Sequence, residues 1–375
     1  MDLICFSHLS WNFVYQRPQH ILSRFVSLYR VFYIEEFTGS EGEDGYTINK
    51  SNENVWIVTP NLNNAEGGDR IQRQRAVISD LLRTQKITNF FLWYYTPLSL
   101  LFSDHLQPVA TVYDCMDELT AFKFADPQLK EAERLLFQKA DVVFTGGNNL
   151  YEAKKKLHPN VHAFPSSIDK EHFQKARSLA EDYPDQQAIP HPRLGFFGVI
   201  DERFDIELIR QAAELRPDWQ FILIGPVVKI DPHSLPRNQN IHYLGSKTYN
   251  ELPGYLSGWD IALIPFAINE STQYISPTKT PEYLAAGKPV ISTPITDVIN
   301  PYGKKGLVHI INNATQLVEK ATIELNTIDK TNWLGLVDNH LRNNSWDFTW
   351  QQMHNLVLKD LAKKNLKTHK TEEYV

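Results

Sequence analysis

The sequence has few of the features that mark disulfide-bonded, metal-binding or membrane-spanning proteins. Only two cysteines occur in 375 residues. Cys5 and Cys115 both lie in apolar runs, which predicts reduced core side chains rather than a disulfide or a metal site. No run of about 18 apolar residues is present, so no membrane-spanning helix is expected. The start, "MDLICFSHLSW", has an acidic second residue and too short an apolar run for a signal peptide, which predicts a cytoplasmic protein.

Excess positive charge and a glycine-rich fingerprint are also missing. The formal net charge of -6 argues against general nucleic-acid binding, which calls for a basic face. The first predicted strand is not followed by G-x-G-x-x-G, the pattern that lets a backbone approach a pyrophosphate, and this argues against an NAD- or FAD-dependent oxidoreductase. A D-x-D pair and a convincing His/Cys cluster are absent as well, so no metal site is expected.

The first half of the chain alternates apolar runs with amphipathic helical stretches. A chain of this length, with 42% hydrophobic and 22% charged residues, is typical of a globular protein of two domains. Strands that are apolar throughout and separated by helices predict a parallel sheet covered on both faces. The predicted strands are 3–8, 30–35, 55–60, 89–95, 109–115, 141–146 and 161–165.

The same alternation restarts after a polar, proline-containing stretch at 175–192. Two doubly wound α/β domains in series are therefore predicted, at 1–175 and 190–343. A long amphipathic helix is predicted after the second sheet is complete. The predicted strands of the second domain are 193–199, 219–225, 240–245, 260–266, 288–293 and 307–311.

Polar residues follow the predicted strands of the first domain, where doubly wound sheets bind their ligands. The loop at 7–20 carries His8, Trp11, Arg17 and His20, which are candidates for binding an acceptor in a cleft between the domains. The alternative is a capped strand–helix turn with surface polar groups.

A second loop of this domain, at 113–122, holds three carboxylates. A helix cap needs one. A carboxylate near a substrate hydroxyl can act as a general base, with Asp117 the first choice and Asp114 the second. The alternative is one cap with solvated acids.

Two segments of the second domain suggest a site for a diphosphate. Gly198 ends a strand, and Arg203 soon after it could place its planar guanidinium on a diphosphate, or it could pair with the acids beside it.

In "YISPTKTPEYLAAGKPVIST", at 274–293, Thr280 is the predicted N-cap, with Glu282 at N2 and Gly287 ending the helix. The amides of 277–282 and the helix dipole, together with Lys279, then predict an anion site. The alternative is a capped helix with a lysine nearby.

Three segments resemble GT-B glycosyltransferases of the large retaining group called family four, or group 1. They are "SPTKTPEYLAAGKPVIST" (276–293), "FPSSIDKEHF" (164–173) and "NSWDFTWQQMHNLV" (344–357). Two further segments, "FSHLSWNFVYQRPQH" and "VYDCMDEL", are similar to a bacterial subgroup of teichuronic-acid type. The resemblance implies two Rossmann-like domains facing across a cleft, with a closing helix at 346–365 that crosses back to the first domain.

The resemblance also implies a donor site in the second domain. Glu282 would bind the donor ribose, and Tyr274 stands where the family has the first of two glutamates. The other residues implied to lie at the donor are Gly198, Arg203, Gly225, Tyr243, Ser276, Pro277, Thr278 and Lys279. His8, Asp114 and Asp117 remain the candidates for catalysis.

The expected function is a metal-independent glycosyltransferase of hexosyltransferase type, acting in cell-surface polysaccharide synthesis. It would use a UDP-, GDP- or dTDP-linked sugar and no further cofactor, with a glycan or lipid-linked acceptor and no nucleic-acid partner. A lipid-linked acceptor would bring the protein to the inner face of the membrane. The alternatives are a nucleotide-sugar epimerase of the same fold, and a non-catalytic protein that binds carbohydrate or nucleotide.

Overall fold

The computed structural model describes residues 1–65, 67–179 and 182–372, with side chains up to residue 364. The chain divides into two compact units. Unit 1 contains Met1–Thr120, Phe124–Pro165 and the chain from Trp346 onward, and unit 2 contains Ala121–Lys123 and Ser166–Ser345.

Unit 1 is a doubly wound sheet, in which every described pairing is parallel except that of β4 with β5. The strand order is β3-β5-β2-β1-β6-β7-β8-β9. The strands are β1 (Asp2–Phe6), β2 (Arg30–Ile34), β3 (Thr38–Ser40), β4 (Gly45–Lys50), β5 (Trp56–Asn63), β6 (Phe90–Tyr94), β7 (Thr111–Cys115), β8 (Val142–Thr145) and β9 (Val161–Ala163). The helices are α1 (Arg17–Phe25), α2 (Arg70–Thr84), α3 (Leu100–Ser103), α4 (Leu129–Lys139), α5 (Asn148–Lys154) and α14 (Trp346–Glu372).

Unit 2 is a second doubly wound sheet, and its strands run parallel in the order β12-β11-β10-β13-β14-β15. The strands are β10 (Arg193–Phe197), β11 (Gln220–Ile224), β12 (Ile241–Tyr243), β13 (Ile261–Ile264), β14 (Val290–Ser292) and β15 (His309–Ile310). The helices are α6 (Lys170–Gln174), α7 (Pro184–Gln187), α8 (Ile206–Leu215), α9 (Leu252–Ser257), α10 (Lys279–Ala285), α11 (Thr296–Ile299), α12 (Ala314–Asn326) and α13 (Thr331–His340). The strand order reverses between β10 and β13, and this switch point is where such sheets bind ligands.

The division of the chain falls earlier than the predicted end of the first domain at 175. Ile168, Phe173 and Ala176 are buried in the core of unit 2, which explains why 166–179 groups with that unit. The short stretch Ala121–Lys123 also groups with unit 2.

Helix α14 packs in unit 1 through one buried face. Trp346, Met353 and Val357 lie in the core of that unit. The ring of Trp346 stacks on His20, with 4.6 Å between ring centroids, and Arg24 pairs with Asp347 at 2.7 Å. These contacts give the closing helix a fixed position in unit 1.

The cysteine prediction is confirmed, because Cys5 and Cys115 are both buried and free. In the described part of the chain, no helix is long and apolar enough to cross a membrane.

Candidate functional site

Three glycines form the carboxyl edge of the sheet in unit 2. The Gly198 N–H donates to the Ile224 carbonyl at 2.8 Å, and the Gly225 N–H donates to the Gly245 carbonyl at 2.9 Å. Gly198 and Gly225 have φ values of +138° and +140°, which only glycine adopts readily. A Cβ on Gly225 would lie 1.9 Å from the Gly198 carbonyl oxygen. The edge therefore requires residues without side chains.

Lys279 lies directly over this edge. A Cβ built on Gly198 would meet the Lys279 Cε at 2.2 Å, so the lysine side chain occupies the space above the glycine. Its Nζ lies 5.6 Å from the ring centroid of Phe196 and 5.7 Å from that of Phe266. The two aromatic rings hold the ammonium group at the end of β10, beside the point where the strand order reverses.

The predicted start of the helix in this segment is wrong. Helix α10 begins at Lys279 with Thr278 as N-cap, so Pro281 stands at N3 and Glu282 at N4. A proline fits there because the first amides of a helix have no partner within it. The helix has only seven residues, so the charge of Lys279, rather than a helix dipole, supplies the positive potential at this site.

The end of the same helix is as predicted. Gly287 has a φ of +74°, and its N–H donates to the Leu284 carbonyl at 2.9 Å. The Lys288 N–H donates to the Tyr283 carbonyl at 3.0 Å. This pair of bonds is a Schellman motif, which ends the helix at the glycine.

Glu282 is a buried carboxylate on the same helix as Lys279. The residue is only 6% exposed. Burial raises the pKa of the Glu282 carboxyl to about 7, and the positive charge of Lys279 opposes the rise. Among the described residues, none is seen to donate a hydrogen bond to this carboxylate. Its acceptor capacity is thus available to a ligand with hydroxyl groups.

Arg203 lies after β10 but is engaged by its own loop. Its Nη2 donates to the Asp201 carboxylate at 2.7 Å, which is the alternative that the sequence left open. The guanidinium also lies 5.2 Å from the ring centroid of Phe122, and the Lys229 ammonium lies 5.3 Å from that same centroid. Sequence reasoning missed Phe122, because it is remote in sequence from both cations and no local pattern connects them.

The remaining donor-site candidates have mixed surroundings. The Tyr243 hydroxyl donates to the Pro236 carbonyl at 3.1 Å and so stabilises the loop between β11 and β12, and burial raises its pKa to about 12. The Ser276 carbonyl accepts the Ser166 hydroxyl at 3.1 Å. Tyr274 and the stretch 276–278 are half-buried. A direct role for these residues in donor binding stays a prediction.

Two of the predicted residues of unit 1 form a buried ion pair. Asp114 is completely buried, and Arg17 binds it through Nη2 at 2.8 Å and Nε at 3.1 Å. The Arg17 Nη1 donates to the Phe164 carbonyl at 2.7 Å. The pair joins α1 to β7. Neither side chain is presented to a substrate, which argues against Asp114 as a base and against Arg17 as an acceptor contact.

Trp11 and His20 are also buried by packing. The Trp11 ring meets Tyr33 edge to face at 4.9 Å, and the Trp11 carbonyl accepts from the Gln19 side chain at 2.6 Å. His20 is 4% exposed and stacks on Trp346. Both rings stabilise the loop after β1, and this argues against their use as a stacking surface for an acceptor.

His8 and Asp117 are the predicted residues of unit 1 that keep partial exposure. The carboxylate next to Asp117, Glu118, is bound by Lys154 at 2.7 Å. Asp117 therefore remains the candidate base, with His8 beside the end of β1. Within the described ranges, no group of three or more His, Cys, Asp or Glu residues could hold a metal ion.

Comparison with known proteins gives one family match and one curated relative. Residues 191–326 match the family described as Glycosyl transferases group 1. The chain is 31% identical over 218 residues to the putative teichuronic acid biosynthesis glycosyltransferase TuaH of Bacillus subtilis (strain 168). That alignment covers 54% of this chain and 55% of TuaH, so the match spans about half the length of the relative.

Several solved structures are similar along nearly the whole chain. Sucrose-phosphate synthase from Thermosynechococcus elongatus has a TM-score of 0.73 at 14% identity, covering 96% of this chain and 99% of that one. Anabaena HepE in complex with UDP and glucose has a TM-score of 0.66 at 13% identity, covering 95% and 98%. At such low identities, these likenesses show the fold alone.

Proposed function

Residues 191–326 form a group 1 glycosyltransferase domain in a chain of GT-B fold, and from this premise we propose that the protein transfers a sugar from a nucleoside-diphosphate sugar to an acceptor. The proposed acceptor is a glycan or a lipid-linked saccharide. We place the reaction in cell-surface polysaccharide synthesis, because the curated relative is a putative enzyme of teichuronic acid biosynthesis. The proposed donor carries a hexose on UDP, GDP or dTDP.

The observation that carries this proposal is the pairing of Lys279 with Glu282 beside the glycine edge. The two residues are three apart on α10, so they lie on neighbouring positions of one helix face. A diphosphate needs a cation, which Lys279 supplies directly above Gly198 at the end of β10. A ribose presents two adjacent hydroxyls, and the Glu282 carboxylate has acceptor capacity for both.

The same arrangement suits the chemistry of transfer. Negative charge develops on the diphosphate as the sugar leaves, and Lys279 is already placed to stabilise it. We propose that no metal and no further cofactor take part. An acceptor hydroxyl must lose its proton during the reaction, and Asp117 is the proposed base, with His8 as the alternative. A lipid-linked acceptor would place the protein at the inner face of the membrane.

We expect Lys279→Ala to weaken nucleoside-diphosphate binding about 10- to 150-fold, because a charge-assisted hydrogen bond contributes about 1.5–3 kcal/mol. Calorimetry with UDP, GDP and dTDP measures this directly. Lys304→Ala is the matched control, since Lys304 is an exposed lysine of the same unit. If wild-type protein binds none of the three nucleotides, or if Lys279→Ala binds them as tightly as wild type, the donor site is wrongly assigned.

Product analysis separates transfer from the other reactions of a nucleotide-sugar protein. The wild-type protein is incubated with UDP-, GDP- and dTDP-sugars, with and without glycan acceptors. Label moving from donor to acceptor supports the proposed function. An inverted or released sugar formed equally well without acceptor supports an epimerase, and tight binding without any turnover supports a binding protein.

A further inference from the structure

Glu202 carries a buried carboxylate that the donor site described above does not use. Both of its carboxylate oxygens are inaccessible to solvent, and neither has a hydrogen-bond partner among the described residues. The residue as a whole is only half-buried, so the charged end is turned inward. A buried, uncompensated carboxylate is unfavourable in a folded protein unless something binds it.

The position of Glu202 links this carboxylate to the ligand edge of unit 2. It lies in the loop that follows β10, and the loop that follows β13 is tied to the same segment. The Ala267 N–H donates to the Arg203 carbonyl at 2.8 Å, and the Asp205 N–H donates to the Pro265 carbonyl at 2.8 Å. Because β10 and β13 flank the reversal of strand order, Glu202 stands at the switch point itself.

Both loops around Glu202 are held by their own hydrogen bonds. In the loop after β13, the Asn269 carboxamide accepts from the Thr272 N–H at 3.1 Å and from the Ser271 hydroxyl at 2.7 Å. In the loop after β10, Phe204 packs against Phe196, with ring centroids 5.0 Å apart. Phe196 is also one of the rings that hold Lys279. Glu202 is thus fixed in the same framework as the candidate diphosphate site.

Glu202 and the acid beside it differ in whether a cation neutralises them. The neighbouring carboxylate, Asp201, is buried and neutralised by Arg203 at 2.7 Å. For Glu202, no ion pair is found within the part of the chain that the structure describes. A free diphosphate would be repelled by a carboxylate, and divalent cations require several oxygen ligands around them. Neutral hydroxyl groups are the ligands that a single carboxylate binds well, two or more at a time.

We propose that Glu202 accepts hydrogen bonds from hydroxyls of the sugar carried by the nucleotide donor. This inference rests on the proposed function and extends it, because it assigns recognition of the transferred sugar to the loop after β10. Lys279 and Glu282 then bind the nucleoside diphosphate, and Glu202 discriminates among the sugars attached to it. A sugar lacking the bound hydroxyls leaves this carboxylate buried and unsatisfied, which gives a basis for specificity.

The test compares a nucleotide sugar with its own nucleoside diphosphate. The probes are the nucleotide sugar that wild-type protein turns over and the matching UDP, GDP or dTDP. We expect Glu202→Gln and Glu202→Ala to raise the Kd or KM for the nucleotide sugar about 10- to 100-fold and to change the Kd for the free diphosphate less than about twofold. Glu319→Gln is the control, an identical change at an exposed glutamate of α12.

Stability without ligand provides a second readout. Since Glu202→Gln removes an uncompensated buried charge, we expect the unliganded variant to melt at the same or a higher temperature than wild type. A residue with a purely structural role would give a lower melting temperature.

Three outcomes overturn the inference: unchanged affinity for the nucleotide sugar, equal losses for sugar and free diphosphate, or a clearly destabilised Glu202→Gln. If wild-type protein binds no nucleotide at all, the proposed function is wrong. That result is distinct from the three outcomes above, in which the nucleotide binds but the role of Glu202 is wrong.

Discussion

Replacing Glu282 with alanine should weaken nucleoside-diphosphate binding about 10- to 150-fold while the fold stays intact. The expected loss is at least that of one hydrogen bond from a ribose hydroxyl to a charged acceptor, about 1.5–3 kcal/mol. Calorimetry with the preferred nucleotide gives the value. Inorganic pyrophosphate is the control ligand, because it has no ribose and should bind the variant as it binds wild type. An equal loss for pyrophosphate would contradict the assignment of Glu282 to the ribose.

The same carboxylate should make nucleotide binding depend on pH near neutrality. Burial raises the pKa of Glu282 to about 7 in the free protein, and Lys279 opposes the rise. The ionised Glu282 carboxylate accepts hydrogen bonds from ribose hydroxyls better than the protonated carboxyl does. The affinity for the nucleotide should therefore rise with pH through about 7, by up to about tenfold per pH unit below that value. The variant Glu282→Gln should lose this component and keep only the weaker pH dependence of the nucleotide's own terminal phosphate, which titrates near pH 6, and an equally steep profile in that variant would contradict this cause.

The ionisation of Glu282, which should strengthen nucleotide binding as pH rises, should lower the stability of the folded protein over the same pH range. Its pKa in the folded state lies above the value near 4.5 of an unfolded chain. The folded protein therefore holds the proton more tightly between about pH 4.5 and 7. This contribution to stability is fully present below pH 4.5 and is lost as pH rises through 7. Binding thus gains from the ionisation that folding opposes, as expected of a residue kept for function.

The sheets could be predicted from sequence because their central strands are buried on both faces. Strands β1 and β6 have all five residues buried, and their apolar runs are visible without a structure. The edge strands β3 and β4 were missed. They are largely exposed or half-buried, and their polar residues carry no period that separates them from a loop.

The candidate site could be predicted only where its residues are close in sequence. Lys279 and Glu282 share one short segment whose proline and terminal glycine indicate a helix, so the sequence alone predicted that they lie close together. The start of that helix was misplaced, because a proline fits any position in the first turn and the sequence cannot choose among them.

Contacts between distant segments explain the remaining differences. Phe122 meets Arg203 and Lys229 only after folding. The buried oxygens of Glu202 likewise follow from the packing of two loops. A sequence shows that a charged residue follows a strand, but not whether another charge neutralises it. The ion pair between Arg17 and Asp114, which argues against their predicted roles at a substrate, was not visible for this reason.

Removing one partner of this ion pair should strongly destabilise unit 1. We expect Asp114→Ala to lower the free energy of unfolding by about 3–5 kcal/mol, because it leaves the Arg17 guanidinium buried without its counter-charge. Urea or thermal unfolding, followed by circular dichroism, measures the change. Asp104→Ala is the matched control, since the Arg75–Asp104 pair is considerably more exposed and its loss should cost about 1 kcal/mol or less.

A double variant distinguishes a structural role for this pair from a catalytic one. Arg17→Met combined with Asp114→Leu removes both charges, so much of the stability lost in Asp114→Ala should return. Transfer activity should then recover together with the folded fraction, because Asp117 rather than Asp114 is the proposed base. A double variant that is stable and folded but has no activity would show that Asp114 takes part in the chemistry. A purely structural role would not explain that result.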